Sequence, residues 1–131
     1  MSCAPKKTTT VSLYEDSLQY AEKENKKLIV LFGADWCPDC RALDRMLVTP
    51  EIKNLILKHY IILKIDVGRF DQNLELDEIL GHPIGKGIPA IVILQPKPFQ
   101  ILATTKGGEF SNASQMSEVQ VLTYLKNFGA N

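Results

Sequence analysis

Two unbroken apolar runs of five residues each, Leu28–Phe32 and Ala90–Leu94, constrain the fold of this chain most strongly. A membrane-spanning helix needs about 20 apolar residues, so neither run can cross a bilayer. Runs this short are typical of strands that are buried on both faces of a sheet. Apolar residues with helical spacing lie before, between and after these runs, and this alternation predicts an α/β fold.

The remaining pattern predicts the order α-β-α-α-β-α, followed by β-turn-β-α. Ser12 with Glu15 three residues later forms a capping box, which predicts the start of the first helix. The predicted elements are a helix from Ser12 to about Asn25, the strand Leu28–Phe32, a helix after Cys37, a helix capped by Thr49 with Tyr60 on its inner face, a buried strand Ile61–Asp66, a short helix Leu74–Leu80, the strands Ala90–Leu94 and Phe99–Thr104, and a closing helix marked by Val119, Leu122, Leu125 and Phe128.

The connections between these elements predict the sheet. Strands joined through helices are expected to be parallel neighbours, whereas the four-residue turn Gln95–Pro98 allows only an antiparallel hairpin. We therefore expect a mixed central sheet of about four strands with helices on both faces. The length of 131 residues favours a single domain, predicted over residues 11–131 after a disordered arm of residues 1–10.

Composition excludes several classes of function. The chain carries 15 basic and 15 acidic residues, and this balance argues against a protein built to bind nucleic acid or anionic lipid. A hydrophobic content of 45% with 23% charged residues fits neither a disordered chain nor a coiled coil. We expect a monomer with no membrane span.

The three cysteines carry the chemical information. An odd number is not typical of a secreted disulfide scaffold, and Cys37 and Cys40 form a close pair while Cys3 stands alone. The pair falls on the first turn of a predicted helix, where residues three apart can approach closely enough for a disulfide. The helix N-terminus favours a thiolate at Cys37, which predicts Cys37 as the attacking sulfur and Cys40 as the shielded, resolving sulfur.

Half of a zinc site is the main alternative for the cysteine pair. A structural zinc ion needs four ligands, and the only further candidates are Cys3, His59 and His82, none of them at ligand spacing. His59 is expected near a helix end and His82 in a loop. We therefore predict redox chemistry with no metal and no cofactor.

Three further segments resemble a known family. Gly33–Cys40, which follows an apolar strand, resembles the active-site signature of the thioredoxin family. Gly87-Ile88-Pro89 is similar to the cis-proline loop of that family, and Gly107-Gly108 is similar to its glycine turn. The resemblance covers about residues 12–128 and implies the thioredoxin-like fold.

Within that superfamily, the lead-in Ala34–Cys37 and the segment Lys64–Val67 resemble bacterial thioredoxin-like proteins labelled disulfide isomerases. They are also similar to the soluble domain of the membrane thiol:disulfide interchange reductase. The resemblance implies protein disulfide or dithiol substrates and a redox partner, either a reductase or a membrane electron donor. There are two alternatives. One is a disulfide isomerase with the same nucleophile, and the other is a binding module that only holds clients.

The resemblance also assigns supporting residues. Trp36 is expected on an apolar rim that contacts substrate, with Pro38 and Asp39 supporting the active site. Ile88 and Pro89 are expected to bind substrate, since a cis Pro89 would present the backbone of Ile88 to an extended substrate segment.

Two departures from the family pattern bear on the chemistry. Thioredoxins carry a buried aspartate six residues before the first cysteine, and Leu31 stands there in this chain. The dipeptide between the cysteines is Pro38-Asp39, without the histidine that makes related proteins strong oxidants. Because a carboxylate near Cys37 disfavours its thiolate, we expect a weaker oxidant than the histidine versions.

The first ten residues do not decide between two cellular compartments. Residues 1–10 lack the apolar region of a signal peptide. Cys3, after a small residue and before a polar spacer, fits either a free thiol on an arm or the lipidated first cysteine of a bacterial lipoprotein. Periplasm and cytoplasm both remain as interpretations.

Overall fold

A computed structural model describes residues 9–129. The helices and strands are α1 (Thr9–Lys23), β1 (Lys27–Gly33), α2 (Pro38–Leu47), α3 (Pro50–His59), β2 (Tyr60–Asp66), α4 (Leu74–Ile79), β3 (Ala90–Gln95), β4 (Gln100–Thr104) and α5 (Glu118–Gly129), with short 3₁₀ helices at Pro83–Lys86 and Ala113–Gln115. Thr9 and Thr10, which were expected in the N-terminal arm, belong to α1. Cys3 and the expectations for residues 1–8 lie outside the described residues.

The four strands form one mixed sheet in the order β2-β1-β3-β4. β1 and β2 are parallel, and β3 and β4 form the expected antiparallel hairpin. This arrangement confirms the predicted α/β class and the mixed four-stranded sheet. The expectation that β3 would also be a parallel neighbour was wrong, because β3 pairs antiparallel with β1.

The short helix α4 explains the direction of β3. It has six residues, about 9 Å of helix, which is too short to carry the chain back along the length of the sheet. The chain therefore leaves β2 at Asp66 and enters β3 at Ala90 at the same end of the sheet, since Gly33 pairs with Asp66 and Phe32 pairs with Ala90. The candidate site lies at this end.

Helices cover both faces of the sheet, as the apolar runs predicted. Successive side chains of β1 point to opposite faces. Leu28, Val30 and Phe32 pack against α1 and α4, in what we call the α1/α4 core. Ile29 and Leu31 pack against α2, α3 and α5, in what we call the α2/α3/α5 core. Full burial of each such side chain contributes about 1.5–3 kcal/mol.

Four local expectations differ from the structure. Ser12 lies inside α1, which begins at Thr9, so the predicted capping box does not start the helix. Tyr60 is the first residue of β2 instead of the inner face of α3. β2 is only partly buried because it is an edge strand. Val119 is 70% exposed, and α5 buries Val121 together with the expected Leu122 and Leu125.

Across residues 9–129, no helix combines the length and the apolar character needed to cross a membrane.

Candidate active site

Cys37 is the N-cap residue of α2. Its backbone is extended, with φ −84° and ψ 114°, and Pro38 occupies the first turn, where a proline loses no helical hydrogen bond. The backbone N–H of Cys40 donates a hydrogen bond to Cys37 Sγ at 3.2 Å. A sulfur placed at the first turn of a helix faces unpaired N–H groups and the positive end of the helix dipole. Cys37 Sγ thus accepts a backbone hydrogen bond at the N-terminal end of α2.

Cys40 is held behind Cys37 against the end of β1. Both thiols are free, and the two residues are only 4% and 6% exposed. A Cβ at Gly33 would lie 3.3 Å from Cys40 Sγ, so the glycine lets Cys40 approach the strand closely. Burial and a hydrogen bond with Cys37 raise the pKa of the Cys40 thiol to about 12. Cys40 is therefore protonated at neutral pH.

The loop before β3 brings a backbone carbonyl to Cys37. Cys37 Sγ lies 3.7 Å from the carbonyl oxygen of Ile88, to which the thiol can donate a hydrogen bond. The Ile88–Pro89 peptide bond is cis, and both residues are buried. Gly87 has φ +117°, a conformation that favours glycine. The structure thus places Ile88 and Pro89 beside Cys37.

Trp36 is exposed and packs on the loop that follows β2. Its indole Nε1–H donates to the carbonyl oxygen of Gly68 at 2.7 Å. Phe70 meets the Trp36 ring edge-on at a centroid distance of 6.2 Å, and the Arg69 guanidinium lies 5.8 Å from the same ring centre. Trp36 and Phe70 together form an exposed apolar rim next to Cys37.

Asp39 contacts a segment that sequence reasoning missed. Its carboxylate accepts hydrogen bonds from the backbone N–H of Ser114 at 2.9 Å and from the Ser114 hydroxyl at 2.5 Å. Ser114 lies in the 3₁₀ helix Ala113–Gln115, which packs against α2. The side chain of Asp39 thus ties the first turn of α2 to the segment before α5.

A cavity of about 270 Å³ opens beside Cys40. Its walls include Leu31, Gly33, Cys40, Asp44, Lys64 and Asp66. Lys64 Nζ pairs with Asp44 Oδ1 at 3.0 Å, and the negative charge of Asp44 is one of the causes that raise the pKa of Cys40. Leu31 is buried at the position where the family resemblance implied an acid.

The two histidines do not join the cysteines. His59 ends α3. His82 Nδ1 contacts the carboxylate of Asp77, a buried acid that sequence reasoning missed and that also accepts the backbone N–H of Ile84 at 3.1 Å. Within residues 9–129, no group of three or more histidine, cysteine or acidic side chains is arranged to hold a metal ion.

Comparison with known proteins agrees with this geometry. The sequence profile of a family described as thioredoxin-like matches residues 9–96. The crystal structure of a disulphide isomerase from Xylella fastidiosa Temecula1 superposes with a TM-score of 0.86 and 37% sequence identity, covering 97% of this chain and 96% of that one.

Two curated relatives are also similar to this chain, at lower sequence identity. Anterior gradient protein 3 of Mus musculus is 30% identical over 89% of this chain and 66% of its own length. The thiol:disulfide interchange protein DsbD of Colwellia psychrerythraea is 28% identical over 81% of this chain and 18% of its own length. The chain spans 57% to 66% of the length of the anterior gradient proteins that it matches. By sequence, fold and the Cys37–Cys40 spacing, the chain belongs to the thioredoxin-like family.

Proposed function

We propose that this protein is a thiol:disulfide oxidoreductase in which Cys37 attacks a substrate disulfide and Cys40 resolves the product. The observation that carries the proposal is the position of Cys37 Sγ at the N-terminus of α2, where it accepts the Cys40 backbone N–H, with the Cys40 thiol buried behind it. A nucleophile stabilised as thiolate and a second, protonated cysteine are the two groups that disulfide exchange requires.

The bonds that form and break in the proposed reaction involve only the two cysteine sulfurs and the substrate disulfide. The Cys37 thiolate attacks one sulfur of a substrate disulfide, so a mixed disulfide forms and the other substrate sulfur leaves as a thiolate. Cys40 then loses its proton and attacks Cys37 Sγ, which forms the Cys37–Cys40 bond and releases the second substrate thiolate. The substrate disulfide is reduced, the protein dithiol is oxidised, and a redox partner must restore the dithiol.

The loop at Ile88 and the apolar rim support a polypeptide substrate. The carbonyl oxygen of Ile88 lies 3.7 Å from the nucleophile, so an extended substrate segment that pairs with this backbone would carry its disulfide to Cys37. Trp36 and Phe70 would contact apolar side chains of that segment. We propose that one domain, acting as a monomer without metal or cofactor, is sufficient for the reaction.

Insulin reduction with dithiothreitol as reductant tests the proposal. All variants carry Cys3→Ser, so that only Cys37 and Cys40 can react. We expect the parent to accelerate insulin reduction and Cys37→Ser to be inactive. Pre-reduced Cys40→Ser, freed of dithiothreitol before insulin is added, should accumulate a mixed disulfide that mass spectrometry detects. A Cys37→Ser variant as active as the parent would contradict the proposal. A parent that does not accelerate insulin reduction would contradict it as well and would favour a binding module, which needs neither sulfur.

Disulfide isomerisation is a second candidate. The 37% identity to the disulphide isomerase from Xylella fastidiosa supports it. An isomerase needs the Cys37 attack, but the net exchange does not consume Cys40. Refolding of scrambled ribonuclease in glutathione buffer separates the two functions: Cys40→Ser would retain most of the activity of an isomerase and would lose that of a reductase.

A further inference from the structure

The resolving step poses a problem of proton transfer. Cys40 must become a thiolate before it can attack the mixed disulfide at Cys37, yet its thiol is buried and its pKa is raised to about 12. A base near the sulfur would therefore accelerate the step. β1 supplies no such base, because the residue on its buried face near Cys40 is Leu31.

Three aspartates line the cavity beside Cys40, and they are Asp35, Asp44 and Asp66. Asp66 Oδ1 accepts the backbone N–H of Gly68 at 2.7 Å and so fixes the loop after β2. Asp35 is exposed in the loop before Trp36, and its backbone oxygen accepts a hydrogen bond from Arg41. Asp44 is the cavity carboxylate whose charge acts on Cys40.

Helical spacing brings Asp44 to Cys40. The two residues are four apart on α2, so they lie on the same face of the helix, with about 5–6 Å between their Cβ atoms. Both line the cavity of about 270 Å³, which has room for water between the thiol and the carboxylate. The helical spacing and the shared cavity therefore allow a water-mediated route between the two groups.

Lys64 pairs with the Asp44 carboxylate. Its ammonium lies 3.0 Å from Asp44 Oδ1. Lys64 is also the register partner of Leu31 across β1 and β2, so the two side chains project from the same face of the sheet, towards α2. The ion pair thus stands directly beside the position of Leu31, with Arg41, Asp35 and Asp66 as the other charged groups around the cavity.

We propose that Asp44, positioned by Lys64, accepts the Cys40 proton when Cys40 attacks the mixed disulfide. The inference rests on the proposed oxidoreductase function. The proton leaves Cys40 Sγ for cavity water as that water gives a proton to the Asp44 carboxylate. Cys40 Sγ bonds to Cys37 Sγ, the bond from Cys37 to the substrate sulfur breaks, and the substrate leaves as a thiolate. Asp44 then returns its proton to solvent.

Stopped-flow reaction with 5,5′-dithiobis(2-nitrobenzoate) separates the two steps in the Cys3→Ser background. The first release of thionitrobenzoate reports the attack by Cys37, and the second reports resolution by Cys40. Asp44→Asn should slow the second release at least about tenfold at pH 7 and leave the first unchanged. Loss of the first release would instead contradict the proposed function. Failure of the inference about Asp44 and failure of the proposed function therefore give different results.

The pH profile distinguishes proton transfer from a structural effect. With Asp44 present, the second release should depend weakly on pH between 6 and 9. In Asp44→Asn it should rise about tenfold per pH unit, because solvent base must then remove the proton. Asp16→Asn makes the same chemical change on the exposed surface of α1 and should leave both releases unchanged.

A rescue variant completes the test. Leu31→Asp in the Asp44→Asn background returns a carboxylate to the cavity wall beside Lys64 and should restore the second release. Thermal unfolding checks that the variants fold. A second release in Asp44→Asn that matches the parent in rate and pH dependence would overturn the proposal. A folded double variant that stays as slow as Asp44→Asn would overturn it as well.

Discussion

The carboxylate of Asp39, which stands between the two cysteines in sequence, accepts both the backbone N–H and the hydroxyl of Ser114. From the sequence, the charge of Asp39 is expected to disfavour the Cys37 thiolate. The structure gives it a second task, because it links the first turn of α2 to the 3₁₀ helix before α5. Substitutions can separate the effect of the Asp39 charge from the effect of its hydrogen bonds with Ser114.

Asp39→Asn removes the charge and keeps an oxygen that can accept the bonds from Ser114. Loss of the charge should stabilise the Cys37 thiolate and with it the reduced protein. For a stabilisation of about 1.4 kcal/mol the reduction potential should rise by about 30 mV, and Asp39→His should raise it further. Equilibration with glutathione measures the reduction potential of each variant. Ser114→Ala keeps the charge, so it is the control and should not raise the reduction potential. An unchanged potential in Asp39→Asn would mean that the carboxylate only links α2 to Ser114.

Iodoacetamide should alkylate Cys37 far faster than Cys40. Exposure does not distinguish the two, since both are buried. The difference comes from the helix N-terminus at Cys37 and from the raised pKa of Cys40, which keeps that thiol protonated. We expect a ratio above about 100 at pH 7 in the Cys3→Ser protein, measured by peptide mass spectrometry. Comparable rates would show that the roles of the two sulfurs are assigned wrongly.

Phe70→Ala should weaken polypeptide binding without changing the chemistry of Cys37. Phe70 is 44% exposed and completes the apolar rim with Trp36. We expect a several-fold higher KM for insulin, by loss of about 1 kcal/mol of apolar contact, and an unchanged rate with a small aromatic disulfide. Phe99→Ala is the matched control, because Phe99 is 56% exposed beside the β3–β4 turn at the opposite end of the sheet. Equal effects of the two substitutions would argue against a substrate-binding rim.

Tyr60 links β2 to α5, and its buried hydroxyl should make the fold less stable at alkaline pH. Its hydroxyl donates to the carbonyl oxygen of Leu125 at 2.6 Å, and burial raises its pKa above the ordinary value of 10.0. The folded protein retains the phenolic proton while the unfolded chain loses it above about pH 10, so the free energy of unfolding should fall as pH rises beyond that value.

Tyr60→Phe should cost about 1 kcal/mol at pH 7, from the lost hydrogen bond. Urea unfolding of both proteins at pH 7 and pH 11 provides the comparison. The difference between parent and variant should narrow at pH 11, because only the parent carries the ionisable group. A constant difference would mean that Tyr60 ionises equally easily in both states.

Local patterns were enough to predict the strands and the cysteine site. The run Leu28–Phe32 and the helical spacing after Cys37 determine where β1 ends and α2 begins, so the position of the pair followed from adjacent residues. The direction of β3 did not follow, because the length of α4 and the return of the chain depend on packing over more than 20 residues. The partner of Asp39 lies 75 residues away along the chain, and no local spacing indicates Ser114.

The α1/α4 core contains both sulfurs, together with Tyr14 of α1 and Leu76 of α4. Oxidation state and folding therefore form one thermodynamic cycle. A substitution in this core that favours the folded dithiol over the folded disulfide must raise the reduction potential by the same free energy, about 30 mV for each 1.4 kcal/mol. Substitutions at buried positions of α1 or α4, such as Tyr14 and Leu76, should thus change the reduction potential of the cysteine pair without changing any residue of the proposed substrate-binding rim.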